Sequence, residues 1–322
     1  DYVNSCFAKG IKAIRWRKNV YMLRNLAQIL EIDFKEATRE DIQSIIIEIE
    51  SRSYAEWTKC DYKIILKRFY RWLLGNDEDF PIQVKWIKSS EPKNKLLPEE
   101  LLTPQEVLKL VDAAIHPRDK AFIMTLYETG TRIGEILPIK IKHLSFDGEM
   151  ASIFVNGKTG PRRIPIVISA SYLAQWLNMH PYKRDPEAYV WAKLILRKQQ
   201  DRLPTQEMTY SAAKKILKQA FYRAGIMKRC YPHIFRHARA SHMANHLTES
   251  QLKHYFGWTQ SSDMASRYVH MSGRDIDGAI KQYYGIGQEE KKSFPLKPSS
   301  CARCGETLPL TAMFCGRCGL KL

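Results

Sequence analysis

The 322-residue chain is short of several things. It contains no run of 18 apolar residues, so no segment reads as a membrane-spanning helix. Its opening, DYVNSCFAKGIKAIRW, lacks the unbroken apolar stretch of a secretory signal. It also lacks an initial Met, as a trimmed chain would. Cysteine is scarce until the end: Cys6, Cys60 and Cys230 are scattered, and Cys301, Cys304, Cys315 and Cys318 crowd together near the C-terminus. That distribution excludes a disulfide framework and points to a protein kept inside the cell. No long internal repeat is visible. Acidic residues are outnumbered, 34 Asp and Glu against 51 Lys and Arg, for a net charge of +17. Such an excess usually marks a polyanionic partner, although a generically basic protein would show it too.

What is present suggests two or three domains, with a 44% hydrophobic fraction that can build cores. Residues 1–90 read as helical. Thr38, followed three residues later by Asp41, has the form of a capping box. In the next helix Trp57, Ile64, Ile65, Phe69, Trp72 and Leu73 are candidates for a core. Lys59, Lys63, Lys67, Arg68 and Arg71 leave a basic surface, which either faces a polyanion or is simply solvated. Prolines and lysines then mark a linker over 91–102. A second domain, expected over 103–286, opens with Thr103 as a cap and Pro104 at the first helical position. Within it, AFIMTLYETG is an apolar helix stopped by Gly130, and Thr131 is the expected cap of the next helix. MASIFVNGKTGPRRIPIVI reads as two strands around a turn. Residues 287–299 have the composition of a tether, and 300–322 form a separate small module.

The stretch HIFRHARASH places His233, Arg236, His237 and Arg239 within two helical turns, just after Pro232. A phosphodiester in mid-reaction gains negative charge on its non-bridging oxygens. Arginine grips such oxygens bidentately and does not titrate. Arg236 lies three residues past His233, so both project from one face. Arg132, in the first turn of an expected helix, is a second candidate clamp. Nearby Glu135 is placed to orient one of these cations. His233 can hydrogen-bond the same oxygens or carry a proton. Lys158, in the turn NGKTG, is able to protonate a departing alkoxide. Tyr268 is a candidate nucleophile if surrounding cations favour the phenolate. Each residue alone has a bland reading: solvated arginines, a structural histidine, a solubilising turn lysine, one tyrosine among 16.

The ordered set ETGTRIGE, NGKTGPRRIPI, HIFRHARASH and FGWTQSSDMASRYVH resembles the catalytic domain of the tyrosine recombinase (phage integrase) family, over residues of about 96 to 286. Its flavour resembles archaeal and archaeal-virus integrases. The resemblance implies Arg132 with acidic companion Glu135, the hairpin lysine Lys158, the His233–Arg236 pair, Trp258 at the position usually filled by His or Trp, and Tyr268 as nucleophile. The spacing from Trp258 to Tyr268 is one residue longer than in common bacterial members, which leaves Tyr255, Tyr283 and Tyr284 as alternative tyrosines. The implied fold is mainly α: a helical, SAM-like core DNA-binding domain, then an α+β catalytic domain with a small β-hairpin sheet. The implied chemistry is cutting and rejoining of DNA through a 3′-phosphotyrosyl link, with no catalytic metal and no ATP. The implied partners are a double-stranded attachment site and a homo-tetramer on two duplexes, in the cytoplasm at the nucleoid. A mobile-element integrase is the leading expectation. A chromosome or plasmid dimer resolvase of the Xer kind, a type IB topoisomerase and an inactive DNA-binding regulator are the alternatives.

The C-terminal module carries its own signal. Cys301-x2-Cys304 and Cys315-x2-Cys318 form two Cys-x-x-Cys-Gly knuckles separated by ten residues, a pattern suited to tetrahedral structural zinc. A segment this short cannot build an adequate core, so the metal is expected to supply its folding energy. The ribbon lies outside the family's common pattern. An interaction adaptor would explain it, but nothing else in the chain.

Overall fold

The computed structural model describes residues 1–75, 79–90, 97–147, 150–194, 206–271, 283–284, 296 and 299–322. The chain divides into two compact units, Asp1–Lys95 and Leu96–Leu322. No described helix is long and apolar enough to cross a membrane.

The first unit is helical: α1 (Tyr2–Ala8), α2 (Ala13–Leu30), α3 (Arg39–Ser51), α4 (Glu56–Leu73) and the short α5 (Ile82–Lys85). α3 starts at the expected capping box. The Asp41 N–H donates to the Thr38 hydroxyl at 3.2 Å, and the Thr38 N–H donates to the Asp41 carboxylate at 2.8 Å. Ile42, Ile45 and Ile49 follow at helical spacing and are fully buried against Leu26 of α2 and Tyr62, Ile65, Leu66 and Tyr70 of α4. Of the residues expected in the α4 core, Ile65 is buried and Phe69 packs against the core; Tyr62, Leu66 and Tyr70 join them, while Trp57, in the first turn, is 43% exposed. The basic surface of α4 is largely occupied as well. Lys59 and Lys63 pair with Glu50, and Lys67 and Arg71 lie over the Phe80 ring.

The second unit opens with α6 (Pro104–Ala113), α7 (Pro117–Thr129) and α8 (Ile133–Ile136). A three-stranded antiparallel sheet follows, made of β1 (Leu144–Asp147), β2 (Met150–Gly157) and β3 (Gly160–Ile166) in the order 1-2-3. Then come α9 (Ile168–Asn178), α10 (Tyr210–Arg223), α11 (Pro232–Ala244), α12 (Glu249–Phe256) and α13 (Met264–Met271). The expected hairpin forms, with Gly157 opposite Gly160 and Lys158-Thr159 as its two-residue turn. The strand β1 adds a third member that the sequence reading did not anticipate. On β3, Arg162, Ile164 and Ile166 point inward while Pro161, Arg163 and Pro165 face out. α7 is the central helix, buried almost throughout and packed on α6, α9, α11 and β3. Its Glu128 carboxylate accepts the Val167, Ile168 and Ser169 N–H groups, capping α9 from a distance.

Leu101 and Leu102, at the end of the expected linker, are buried, and residues 91–96 lie outside the described residues. Most of the expected 287–299 tether and the end of the expected 103–286 domain also lie outside them. Leu296 is described and is buried against the second unit's main core.

The C-terminal module pairs β4 (Ser299–Ser300) with β5 (Thr307–Leu308). The four cysteine sulfurs lie within 4.8 Å of one another, with Cys301–Cys318 and Cys304–Cys315 each at 3.5 Å. A disulfide needs about 2.05 Å. Four thiolates about 2.3 Å from a tetrahedral zinc would stand roughly 3.8 Å apart, so the donor set fits that ion. The two knuckles are alike: Gly305 N–H bonds Cys301 O, and Gly319 N–H bonds Cys315 O, both at 2.9 Å. Thr311 reaches Tyr172 of α9 at 3.4 Å.

Candidate active site

Four chain segments meet at one place: the α7–α8 turn, the β2–β3 hairpin, α11, and the α12–α13 segment. Gly130 ends α7 in the left-handed conformation, with φ of 54°. The chain then turns so that Arg132, not Thr131, is the cap of α8. Thr131 is buried and meets the Thr129 hydroxyl at 3.0 Å instead. α8 is a single turn of four residues, so its dipole is too small to serve as an anion site. Binding of an anion there falls to the arginine side chains.

Those arginines surround one carboxylate. Glu135 accepts from Arg132 Nη1 at 2.8 Å and from Arg162 Nη2 at 2.6 Å. The Glu135 and Arg162 side chains are each 5% exposed, whereas Arg132 keeps 34% of its side chain open. Burial pushes the Glu135 carboxyl up, but Arg162 and Arg132 together hold it below the ordinary carboxylate range. Arg162 Nε donates to Tyr255 O at 3.1 Å, which ties β3 to α12. Its Nη1 is buried and finds no hydrogen-bond partner among the described residues.

Arg236 is supplied by α11, which starts at Pro232 and packs on α7, α12 and α13. It is buried, donating to Gly130 O at 2.8 Å and Phe256 O at 2.7 Å. Its guanidinium lies 5.2 Å from the Phe256 ring centre and 5.3 Å from that of Trp258. Burial and the nearby Arg132 charge lower its pKa to about 9, so it stays cationic at neutral pH. The carboxylate of Glu135 therefore stands against three guanidinium groups, and the site is net positive.

His233, one turn before Arg236, is exposed. Partial burial of its ring and then the charges of Arg236 and Arg132 lower its pKa below the ordinary histidine value. Lys158 is exposed at the hairpin turn, and the turn is anchored on both sides of it. A Cβ on Gly157 would come within 2.6 Å of Glu135 Oε1, so only glycine lets the strand approach this closely. On the other side, the Thr159 hydroxyl donates to Gly257 O at 3.2 Å. The turn that carries Lys158 is thus docked against α8 and the end of α12.

Tyr268 lies on α13 and is 4% exposed. Its ring stacks on Trp258 at 5.6 Å with planes 5° apart, and Trp258 stacks in turn on Phe256 at 4.9 Å. Burial pushes its phenol up to about 12, against the opposing charge of Arg236. Its hydroxyl is hydrogen-bonded to Nδ1 of His237, on α11. The alternative tyrosines are differently placed. Tyr255 is committed to Glu128 O at 2.7 Å, and Tyr283 and Tyr284 are 82% and 67% exposed. Trp258 is placed here by ring packing with Phe256 and Tyr268.

Two residues of this site went unassigned in the sequence reading, Arg162 and His237. Arg162 was legible as the member of the RR pair that shares the inward face of Ile164 and Ile166. His237 stands one turn beyond His233, but nothing local tells that its partner is 31 residues away.

Comparison with known proteins identifies the family. The model of the phage integrase family matches residues 100–274, more than half of the chain. The chain belongs to the phage integrase family. Tyrosine recombinase XerD of Haemophilus ducreyi is 23% identical over 271 residues, covering 79% of this chain and 85% of that protein. Tyrosine recombinase XerC of Escherichia coli O157:H7 is 29% identical over 184 residues, 55% of this chain and 57% of that one. Among solved structures, a lambda integrase tetramer bound to a Holliday junction superposes with a TM-score of 0.64 at 16% identity, over 86% of this chain and 77% of that one. XerH recombinase in a post-cleavage complex gives 0.58 at 18% identity, over 78% and 74%. The fold is that of these enzymes, and the class it defines is the site-specific DNA recombinase of the tyrosine type.

Proposed function

We propose that the chain cuts and rejoins DNA through a 3′-phosphotyrosyl link on Tyr268, as the integrase of a mobile element. The observation that carries this reading is the convergence on α11: Arg236 joins Arg132 and Arg162 around Glu135, while Trp258 and His237 hold Tyr268 beside them. Tyr268 attacks the scissile phosphorus. Arg132 and Arg236 neutralise the charge that builds on the non-bridging oxygens, with donors already fixed before the reaction. Lys158 gives a proton to the departing 5′ oxygen, and His233 hydrogen-bonds the phosphate. The phosphotyrosine conserves the bond energy, so a second 5′-hydroxyl reverses the step without ATP. Guanidinium groups supply the charge stabilisation, and no catalytic metal is needed.

The partner in this reading is a double-stranded attachment site. α10 adds exposed Lys214, Lys215 and Lys218, none in an ion pair among the described residues, and these suit a phosphate backbone. A tetramer on two duplexes follows from the chemistry of exchanging four strands. Cys301, Cys304, Cys315 and Cys318 hold a structural zinc that folds the C-terminal ribbon. An archaeal or archaeal-virus origin is favoured by the flavour of the motifs.

A second reading is an Xer-like dimer resolvase, favoured by the length of the match to XerD. An inactive DNA-binding regulator is disfavoured because it has no physical reason to keep a nucleophile and all its charge partners. The test is an adduct assay: the protein is mixed with nicked duplexes in EDTA, denatured, and resolved by gel. A covalent protein–DNA band is expected from the native chain. Tyr268→Phe is expected to abolish the band, with DNA affinity within about two-fold of the native chain; tight binding without any band would select the regulator.

A further inference from the structure

The tyrosine that the proposed function makes the nucleophile holds its proton tightly, and the remaining question is where that proton goes. His233 feels partial burial and the charges of Arg236, Arg132 and Glu135, the groups that the proposed function sets around the phosphate. The group in contact with the phenolic oxygen is instead His237, one helical turn on. Its ring lies 5.9 Å from the His233 ring, 6.3 Å from the Tyr231 ring at the start of α11, and 6.1 Å from the Tyr268 ring on α13. No carboxylate is recorded against it among the described residues. Burial, then the neighbouring His233 and Arg236, lower its pKa to about 4, so at neutral pH the ring is uncharged and carries one free nitrogen lone pair.

We propose that His237 is the proton acceptor for Tyr268: as the phenolic oxygen bonds to phosphorus, its proton passes to Nδ1 of His237. This rests on the reading of Tyr268 as nucleophile. The step balances as follows. The P–Oη bond forms and the P–O5′ bond breaks. The Tyr268 proton goes to His237, which becomes an imidazolium with Nε2–H already in place, and the 5′ oxygen takes its proton from Lys158. In the reverse step, breakage of P–Oη returns the proton from His237 to Tyr268. In the free protein the proton stays on the phenol. It moves only as the forming P–Oη bond strips basicity from the oxygen, which is the condition for general base catalysis. The incoming phosphate adds negative charge that favours the imidazolium. Two histidines on successive turns of one helix thereby divide the work: His233 faces the phosphate and His237 faces the nucleophile.

The experiment uses the full chain and a substrate drawn from a pool of nicked duplexes of random sequence, captured as covalent adducts of the native protein. The captured duplex is then prepared with either oxygen or sulfur as the 5′ leaving atom. A sulfur leaving group departs without protonation, so it separates nucleophile activation from leaving-group protonation. His237→Asn keeps a hydrogen-bond acceptor near the position of Nδ1 but cannot take the proton, and His237→Ala removes both. The expected result is adduct formation slowed on the order of 10²–10⁴-fold in both variants and on both substrates, with unchanged DNA binding in a gel-shift assay. Three results would overturn the proposal. His237→Asn cleaving near the native rate would reduce the contact to positioning. His237→Ala near the native rate would remove any role. A defect erased by the sulfur leaving group would make His237 an acid for the departing oxygen. No adduct from the native protein, or an adduct from Tyr268→Phe, overturns the recombinase reading or the nucleophile itself, and is thereby distinct from failure of the His237 role alone.

Discussion

Helices α4 and α11 are both rich in cations, yet they spend them differently. On α4, Lys59 and Lys63 face the carboxylate of Glu50, and Lys67 and Arg71 lie over Phe80. On α11, Arg236 is held by two carbonyl oxygens, of Gly130 and Phe256. Two lysines that share one carboxylate in this way are partly neutralised, whereas Glu135 stands against three arginines and leaves the α11 site net positive. A cation oriented by carbonyls keeps its full charge and gains a fixed direction. Counting basic residues along the sequence cannot separate these cases, because the count is blind to the acceptor.

The contrast can be pressed from its strongest point downward. The centre of the site depends on Glu135 balancing Arg162, both nearly fully buried. Glu135→Ala leaves the Arg162 charge uncompensated and should cost about 3–5 kcal/mol of stability, read by urea unfolding. Arg236→Lys replaces two oriented donors with a point charge and leaves a carbonyl unpaired. It should slow adduct formation on the order of 10²–10³-fold, with little change in DNA affinity. Acid should act on α11 before α4. His237 and His242 titrate at about 4, lowered mainly by burial, against about 6.5 when unfolded. The unfolded chain therefore binds their protons first, and stability present above about pH 6.5 is lost as pH falls towards 4. The loss should be about 2–3 kcal/mol per histidine, measured by unfolding across that range. Lysine substitutions come last. Lys63→Ala on α4 should alter stability by less than about 1 kcal/mol and leave the salt dependence of DNA binding unchanged. Lys214→Ala on α10 should lower that salt slope by about one.

How much of this was legible depends on how far apart the partners are in sequence. The caps of α3 and α6 and the β2–β3 hairpin follow from residues three or four apart, and they form as the sequence indicates. The ordered motifs pointed to Arg132, Glu135, Lys158, His233, Arg236, Trp258 and Tyr268. The structure joins Arg132 to Glu135 and packs Arg236, Trp258 and Tyr268 together, with the charges of the two groups acting on each other. Long-range choices were not legible. The alternation with Ile164 and Ile166 turns Arg162 inward, but its pairing with Glu135 and the Tyr268–His237 contact depend on how distant elements pack. On α4 Ile65 and Phe69 were placed correctly, but Trp57 sits in the first turn, where a large apolar side chain still lies outside the packed stripe.

The central claim is that Tyr268, and no other tyrosine, carries the DNA. The direct measurement is mass spectrometry of the proteolysed adduct. The account predicts a nucleotide remnant, held by a phosphotyrosyl bond, on the peptide containing Tyr268. The same remnant on a peptide containing Tyr255, Tyr283 or Tyr284 would contradict it.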